Sequence, residues 1–278
     1  MPYANNNGVK IHYEVEGQGP PVLLQHGFSG TLDAWRTNGY VQSLSKDYRC
    51  IYLSIRGRGK SDKPHDPAAY AYENLVSDLV AVLDHAGVQK THYLGYSMGG
   101  AIGFRIPLYA PGRFHSLIIG GAGYNPGKAI QGYDDDLGAA YAAMEQAVKE
   151  GRNNPMETFF RLYEKSVGTV PPERKATILA QDGVALATAC QASREDTGPT
   201  PSDYLPKFNL PCLIYAGELD PRCPDAKESA KLIPGAKTIF LPGLNHNQVN
   251  AGELMLPHIK KFLAEVNKNR RFIKHAIR

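Results

Sequence analysis

Apolar runs short enough to be strands alternate with helix-like segments along most of this chain, and this alternation limits the folds that it can adopt. Asn7 and Gly8 favour a tight hairpin that adds a short strand at residues 3–5. Strands that alternate with helices predict an α/β fold, with a mostly parallel eight-stranded sheet flanked by helices. The seven longer runs are residues 9–16, 22–25, 48–53, 91–95, 116–120, 212–217 and 237–241.

Helical periodicity occupies several of the intervals between these runs. In residues 72–86 leucines recur at Leu75, Leu79 and Leu83, and Gly87 follows as a stop signal. The C-terminal ends of parallel strands meet at one edge of a sheet, so the functional groups are expected there. Further helices are predicted at residues 101–109 and 252–266.

The alternation is interrupted between the sixth and seventh strands. No strand pattern occurs there, and an interval of this length is much longer than a crossover needs. We therefore predict a helical cap at residues 124–207, inserted into a core domain formed by residues 1–123 and 208–278. The helix-like stretches in the cap are residues 137–149, 155–167 and 172–180.

The composition is that of an ordinary globular protein. Apolar residues make up 42% of the chain and charged residues 21%, and the formal net charge is only +4. Neither a nucleic acid nor a membrane is therefore expected as a partner. Polar residues follow Met1 directly and the four cysteines form no CxxC pair, which favours a cytoplasmic location and buried thiols.

Residues 95–99 read Gly-Tyr-Ser-Met-Gly and stand between a predicted strand and a predicted helix. A serine on such a sharp turn has a strained backbone, and small residues two positions before and after it prevent clashes. Gly95 and Gly99 meet that demand. This context predicts that Ser97 is a nucleophile.

A serine hydroxyl needs a base to accept its proton, and four histidines follow this turn. His246 lies on a loop just after the predicted strand 237–241, at the C-terminal end of that strand. His115 lies just ahead of a strand, His258 within the last helix and His275 in the C-terminal segment. We therefore predict that His246 is the base.

The base in turn needs a carboxylate to orient it, and two acidic residues follow the seventh strand. Asp220 lies in a turn that can direct it toward a histidine, whereas Glu218 follows the strand immediately. Asp220 is the preferred acid and Glu218 the alternative. Asp225 resembles a residue at a helix start.

A tetrahedral intermediate needs two N–H donors, one from the residue after the nucleophile and one from a loop after an earlier strand. Met98 occupies the first position. The loop that follows residues 22–25 reads His-Gly-Phe-Ser-Gly, and the N–H group of Phe28 is the expected second donor. His26 is expected to shape this loop through hydrogen bonds.

These motifs together resemble the α/β-hydrolase family, in its branch of esterases, lactonases, haloperoxidases and C–C bond hydrolases. Residues 56–62 also resemble a loop of that family, but Ser54 stands where the family usually has a structural aspartate. Epoxide hydrolases and haloalkane dehalogenases have an aspartate at the elbow, and Ser97 excludes their chemistry.

The resemblance implies hydrolysis of a carboxylic ester or lactone through an acyl-enzyme, without a cofactor or metal. The same residues would serve a C–C bond hydrolase, a cofactor-free perhydrolase or haloperoxidase, or a receptor-like binder of a small ligand with weak activity. Aromatic walls would suit an apolar acyl chain or a lactone better than a charged substrate. The candidate wall residues are Trp35, Tyr96, Tyr124, Tyr133, Phe159, Phe160 and Tyr163.

Overall fold

A computed structural model describes residues 2–127, 136–167 and 169–276 of the protein, apart from the side chains of residues 166, 167 and 271–276. Its sheet contains eight described strands. They are β1 (Tyr3–Asn6), β2 (Val9–Glu16), β3 (Pro21–Gln25), β4 (Arg49–Leu53), β5 (Thr91–Tyr96), β6 (Phe114–Gly120), β7 (Cys212–Gly217) and β8 (Lys237–Leu241).

The strands form one sheet in the order β1-β2-β4-β3-β5-β6-β7-β8. β2 pairs antiparallel with β1 and with β4, and the remaining pairs are parallel. The hairpin between β1 and β2 turns through Asn7 and Gly8, both at positive φ. The prediction of a mostly parallel eight-stranded sheet is confirmed, with each strand within about two residues of its expected position.

Helices cover both faces of the sheet. Leu75 of one helix and Ile102 of another belong to the apolar cluster on one face, and Trp35 and Met255 belong to the cluster on the other. The described helices are α1 (Asp33–Thr37), α2 (Tyr40–Leu44), α3 (Tyr72–His85), α4 (Met98–Tyr109), α5 (Asp136–Lys149), α6 (Pro155–Val167), α7 (Pro172–Leu179), α8 (Gly183–Arg194), α9 (Pro201–Tyr204), α10 (Cys223–Leu232) and α11 (Gly252–Ala276).

Several helix boundaries differ from the expected ones. α4 begins at Met98 rather than at residue 101, since glycines hide its first turn from a hydrophobic pattern. α11 continues ten residues beyond the expected end at residue 266. His115 lies inside β6 rather than ahead of it, because that strand already begins at Phe114.

α5 to α9 occupy the interval between β6 and β7, where the described residues contain no strand. They contact loops at the C-terminal edge of the sheet. Gln181 Nε2 donates to the Ser29 carbonyl at 2.6 Å, and Asp182 Oδ2 lies 2.9 Å from His65 Nε2. The division into a cap at residues 124–207 and a core at residues 1–123 and 208–278 stays a prediction.

Ser54 takes the place of the aspartate that the resemblance leads one to expect. Its hydroxyl oxygen accepts a hydrogen bond from the Leu32 N–H at 3.1 Å, and its carbonyl accepts one from Ser61 Oγ. Gly59 passes so close that an added Cβ would lie 2.7 Å from Ser54 Oγ. The buried hydroxyl therefore connects the loop after β4 to the loop after β3 without a carboxylate.

No helix among the described residues combines the length and hydrophobicity needed to cross a bilayer.

A buried ion pair attaches α3 to the loop after β4. The guanidinium of Arg56 forms two hydrogen bonds with the carboxylate of Asp78, at 2.6 and 2.7 Å, and Asn6 Nδ2 adds another at 2.8 Å. The Asp78 side chain is fully buried and that of Arg56 is 4% exposed. Removal of one partner would therefore leave a buried charge without compensation.

We expect Asp78→Ala to lower the free energy of unfolding by about 3–5 kcal/mol, because the Arg56 charge would remain buried and unpaired. Asp84→Ala is the matched control, since Asp84 lies on the same helix, pairs with Arg113 at 2.6 Å and is 63% exposed. Its loss should stay below about 1 kcal/mol. Urea denaturation measures both, and equal losses would contradict this account.

Candidate active site

Ser97 lies at the sharp turn between β5 and α4, with a φ of 56°. Few residues other than glycine adopt this conformation, so the surrounding packing must hold it in place. A Cβ on Gly95 would overlap the Gly99 carbonyl, and a Cβ on Gly99 would overlap the Gln25 carbonyl. The two glycines that the sequence singled out are thus required by backbone contacts.

His246 lies on the loop after β8 and contacts Ser97 across the sheet edge. Its Nε2 is 3.0 Å from Ser97 Oγ, and its Nδ1 is 2.6 Å from Asp220 Oδ2. With a proton on Nδ1, the ring donates to the carboxylate and accepts the serine hydroxyl proton at Nε2. The structure therefore brings Ser97, His246 and Asp220 together in one hydrogen-bonded series.

The environment of Asp220 keeps its carboxylate charged. Burial opposes ionisation, but the nearby His246 and Arg222 outweigh it and lower the pKa below its ordinary value of 3.8. The Arg222 N–H also donates to Asp220 Oδ1 at 2.9 Å. An ionised acid in this position can stabilise a positively charged imidazole ring.

Glu218, the alternative acid, points away from this series. Its side chain is 42% exposed, and Oε1 lies 3.1 Å from Lys227 Nζ. Asp225 lies in the first turn of α10, which begins two residues earlier. The carboxylate that contacts His246 is that of Asp220.

Tyr96 contacts the loop that carries His246 through a hydrogen bond and through its ring. Its hydroxyl donates to the His246 carbonyl, and the two ring centroids lie 5.2 Å apart. Gly121 passes beside both rings, where an added Cβ would lie 2.8 Å from the tyrosine and 3.0 Å from the imidazole. The sequence instead indicated Tyr96 as a candidate wall of the substrate pocket, but the lining of the cavity beside Ser97 does not include it.

The loop after β3 lies against Ser97. A Cβ on Gly27 would lie 3.2 Å from Ser97 Cβ and 3.7 Å from its Oγ. His26 Nδ1 donates to the Gly27 carbonyl at 2.7 Å, and Nε2 accepts from the Ile55 N–H at 3.3 Å. Burial lowers the pKa of His26 to about 3, so its ring stays neutral and serves the loop.

Met98 is the first residue of α4, so its N–H has no acceptor within the helix. Phe28 and Met98 line the same cavity as Ser97. That the N–H groups of these two residues donate hydrogen bonds to an oxyanion stays a prediction.

This cavity reaches from the elbow toward α8, where Ala189 and Ser193 line it. Its aromatic lining comes from Phe28, Tyr70 and Tyr72. Besides apolar and small residues it contains four buried arginines, which the sequence analysis did not single out. They are Arg56, Arg58, Arg105 and Arg222.

The described residues among the candidate aromatic walls lie outside this lining. Trp35 packs edge to face on Tyr40, with ring centroids 4.9 Å apart. Both belong to the apolar cluster on one face of the sheet, whereas Phe28 and Met98 of the cavity lining belong to the cluster on the other face. Phe159 stacks on Tyr163 at 5.4 Å within the cap interval. Trp35 and Phe159 are both buried in the apolar clusters, because a large aromatic side chain packs as readily in a core as beside a ligand.

Tyr124 lies beneath Arg105, whose guanidinium carbon is 4.2 Å from the ring centroid. It helps to hold that arginine instead of lining the cavity. Phe160 packs beneath Lys175, at 4.9 Å from its Nζ. Tyr133 lies outside the described residues.

Within the described ranges, no group of three or more His, Cys, Asp and Glu side chains is arranged to hold a metal ion.

A family model described as the alpha/beta hydrolase fold matches residues 20–249. The chain belongs to the α/β-hydrolase fold family. The resemblance carried by the elbow, the glycine-rich loop and the order of acid and histidine is thereby confirmed at the level of the family.

Individual relatives of this hydrolase have diverse names. Epoxide hydrolase 3 of Siraitia grosvenorii is 38% identical over 114 residues, which cover 41% of this chain and 36% of that protein. The chain spans less than half the length of the curated epoxide hydrolases that it matches.

Solved structures show the same fold over nearly the whole chain. The enol-lactonase from Burkholderia xenovorans LB400 aligns with a TM-score of 0.72 and 22% identity, over 95% of this chain and 100% of that one. A thermophilic esterase from Thermogutta terrifontis aligns with a TM-score of 0.73 and 22% identity, over 95% and 98% of the two chains. Identity at this level shows the fold alone.

We expect the buried neutral state of His26 to make the protein less stable in acid. Its pKa falls from an ordinary 6.5 to about 3 on folding, so between these values only the unfolded chain binds the proton. The free energy of unfolding should therefore decrease as the pH falls, by about 2 kcal/mol between pH 7 and pH 5 from this group. Urea denaturation at the two pH values measures the decrease.

His26→Asn should reduce this decrease, because an amide does not titrate. His258→Asn is the matched control, since His258 is exposed on α11 and its replacement should leave the wild-type decrease unchanged. Equal decreases in wild type and His26→Asn would contradict the assigned neutral state. His92, whose pKa burial lowers to about 4, contributes equally to all three proteins.

Proposed function

We propose that this hydrolase cleaves a carboxylic ester or lactone through an acyl-enzyme formed on Ser97. The observation that carries the proposal is the contact series at the cavity wall, with Ser97 Oγ 3.0 Å from His246 Nε2 and His246 Nδ1 2.6 Å from Asp220 Oδ2. The substrate is a small molecule, since Ser97 lines a cavity within the protein.

In the proposed acylation step, Ser97 Oγ attacks the carbonyl carbon while His246 Nε2 takes the hydroxyl proton. The carbonyl oxygen becomes an oxyanion that accepts hydrogen bonds from the N–H groups of Phe28 and Met98. Asp220 stabilises the imidazolium. The C–O bond then breaks, and the alcohol leaves with the proton that His246 returns.

Deacylation repeats the sequence with water as the attacking group. His246 takes a proton from the water, the hydroxide adds to the acyl carbon, and Ser97 leaves with the proton. A lactone follows the same route and yields a hydroxy acid. Each step uses only groups that the described residues supply.

The serine at the elbow favours this reaction over epoxide opening, although several relatives are named epoxide hydrolases. The family resemblance associates an aspartate at the elbow with epoxide opening, and here that position is Ser97. The esterase and the enol-lactonase of the same fold carry names that agree with acyl transfer.

Ser97→Ala should lower kcat by at least about 10³-fold on every ester or lactone that the wild type hydrolyses, because no other group can form the acyl-enzyme. Esters of varied acyl length and a set of lactones, assayed beside one another, make the measurement. Full activity in Ser97→Ala would reject the proposal. Products formed by C–C cleavage or by perhydrolysis would instead assign the site to those reactions, and a tight ligand without turnover would indicate a binder.

The assignment of the acid has its own test in a matched pair of substitutions. Asp220→Asn should lower kcat by about 10⁴-fold, because the amide no longer fixes the imidazole tautomer or stabilises its charge. Glu218→Gln should stay within about twofold of wild type, since Glu218 contacts Lys227 at the surface. Steady-state kinetics on one ester decide the question, and the reverse ranking would transfer the role to Glu218.

A further inference from the structure

The four arginines that line the cavity differ in how their charges are balanced. Three of them have a carboxylate within ion-pair distance. The pairs are Arg56 with Asp78 at 2.6 Å, Arg105 with Asp196, and Arg222 with Asp220 at 3.4 Å. Arg58 forms no such pair among the described residues, although its side chain is only 1% exposed.

Arg58 is held in place by neutral groups. Its Nε donates to the Phe28 carbonyl at 2.6 Å, and its Nη1 donates to the Gly57 carbonyl at 3.2 Å. The guanidinium carbon lies 4.4 Å from the centroid of the Phe28 ring. Within the described part of the chain, the third nitrogen, Nη2, is buried and has no hydrogen-bond partner.

The carboxylate that acts on Arg58 from a longer distance is already engaged. Asp182 Oδ2 contacts His65 Nε2 at 2.9 Å, and Oδ1 accepts the Ala185 N–H at 3.0 Å at the start of α8. Burial lowers the pKa of Arg58, but a guanidinium remains protonated in proteins. The cavity wall therefore contains the full positive charge of Arg58, whose Nη2 has no hydrogen-bond acceptor among the described residues.

A buried, uncompensated charge is unfavourable, and a carboxylate is the group whose shape and charge match a guanidinium. Arg58 and Ser97 line the same cavity, and Arg58 also contacts Phe28, whose N–H is the proposed oxyanion donor. A substrate bound at the serine can therefore place a second group beside the arginine. Arg58→Gln would remove the charge but keep a polar donor.

We propose that Arg58 binds a carboxylate of the substrate, so that the preferred substrates are esters or lactones that carry a free carboxylate elsewhere in the same molecule. This inference rests on the proposed ester or lactone hydrolysis. It differs from the aromatic walls expected from the sequence, which would favour an apolar acyl chain. Monoesters of dicarboxylic acids are the simplest members of the class.

The test compares monomethyl esters of succinate, glutarate and adipate with neutral methyl esters in which an acetyl group replaces each carboxylate. The two series have the same shape and differ in charge. Wild type should prefer the best anionic ester by about tenfold or more in kcat/KM, as expected for a hydrogen bond to a charged group. Acetyl esters of hydroxy acids, with the carboxylate on the leaving group, show which part of the substrate reaches Arg58.

Arg58→Gln should lower the ratio of kcat/KM for anionic over neutral esters by about tenfold, because only the anionic esters lose an ionic contact. Arg58→Lys should restore part of it, because the charge returns without the planar fork. If Arg58 only positioned the Phe28 loop, both series would slow by the same factor and their ratio would persist. That outcome, or a wild type without a preference, would overturn the proposal.

Arg113→Gln controls for general attraction of anions. Arg113 is paired with Asp84 outside the cavity, and its loss changes the net charge by the same amount. The preference should persist in this variant. A preference that falls equally in Arg113→Gln and Arg58→Gln would point to long-range steering and reject a binding site.

Binding without turnover separates this proposal from the proposed function. Glutarate should raise the Tm of wild type and leave that of Arg58→Gln unchanged, since a ligand of the folded state stabilises it. Ser97-dependent hydrolysis of neutral esters without any effect of the carboxylate would reject the Arg58 site alone. A Tm shift that depends on Arg58, without hydrolysis of any ester or lactone, would reject the hydrolysis and keep the carboxylate site.

Discussion

The close approach of α4 to the end of β3 is the constraint on which the site depends. Because Gly99 lies against the Gln25 carbonyl, α4 starts at the sheet edge and Ser97 is left at positive φ between strand and helix. The same contact places the loop after β3 beside the serine, with Gly27 in contact with Ser97. Nucleophile and proposed oxyanion loop are thus positioned by one backbone contact.

Parallel strand order completes the arrangement. β5, β6, β7 and β8 are consecutive neighbours, so the loops after β5, β7 and β8 leave the sheet at the same edge. Asp220 and His246 come from the last two of these loops and meet Ser97, which precedes His246 by 149 residues. Every residue of β5 and β7 is buried, so the strands from which two of these loops start are firmly packed in the sheet.

The charges of the buried groups in and around the site are the second feature on which the structure depends. Asp220 remains ionised against the effect of burial because His246 and Arg222 are close to it, whereas His26 remains neutral because its hydrogen bond to the Gly27 carbonyl does not outweigh its burial. Arg58 combines burial with a charge that no described carboxylate contacts. Environment, more than residue type, therefore decides which of these groups carries a charge.

Much of the fold was predictable because strands and helices have different hydrophobic periods. The eight strands and α3 were found in this way, and Gly87, at the end of α3, adopts the positive φ expected of a helix stop. α1 and α2 were missed because five residues are too few to show a helical period. α8 was missed because its alanine-rich sequence contains few large apolar residues to mark a face.

The same distinction applies to the candidate site. Some of its residues could be predicted from their neighbours in the sequence, and others depend on contacts between distant segments. Ser97, His246 and Asp220 could be predicted because each follows directly from its own strand, and strand ends converge in any parallel sheet. Trp35 and Phe159 could not be placed, since an aromatic side chain is equally compatible with either face of a sheet.

The sequence by itself determined the positions of the eight strands, the elbow and the candidate nucleophile, base and acid, because these depend on neighbours along the chain. Only the tertiary structure brought Asp220 rather than Glu218 into contact with His246, joined Tyr96 to the His246 loop and placed Arg58 at the cavity without a described carboxylate in contact. Burial and pairing arise between segments that are distant in the chain, and no local pattern records them.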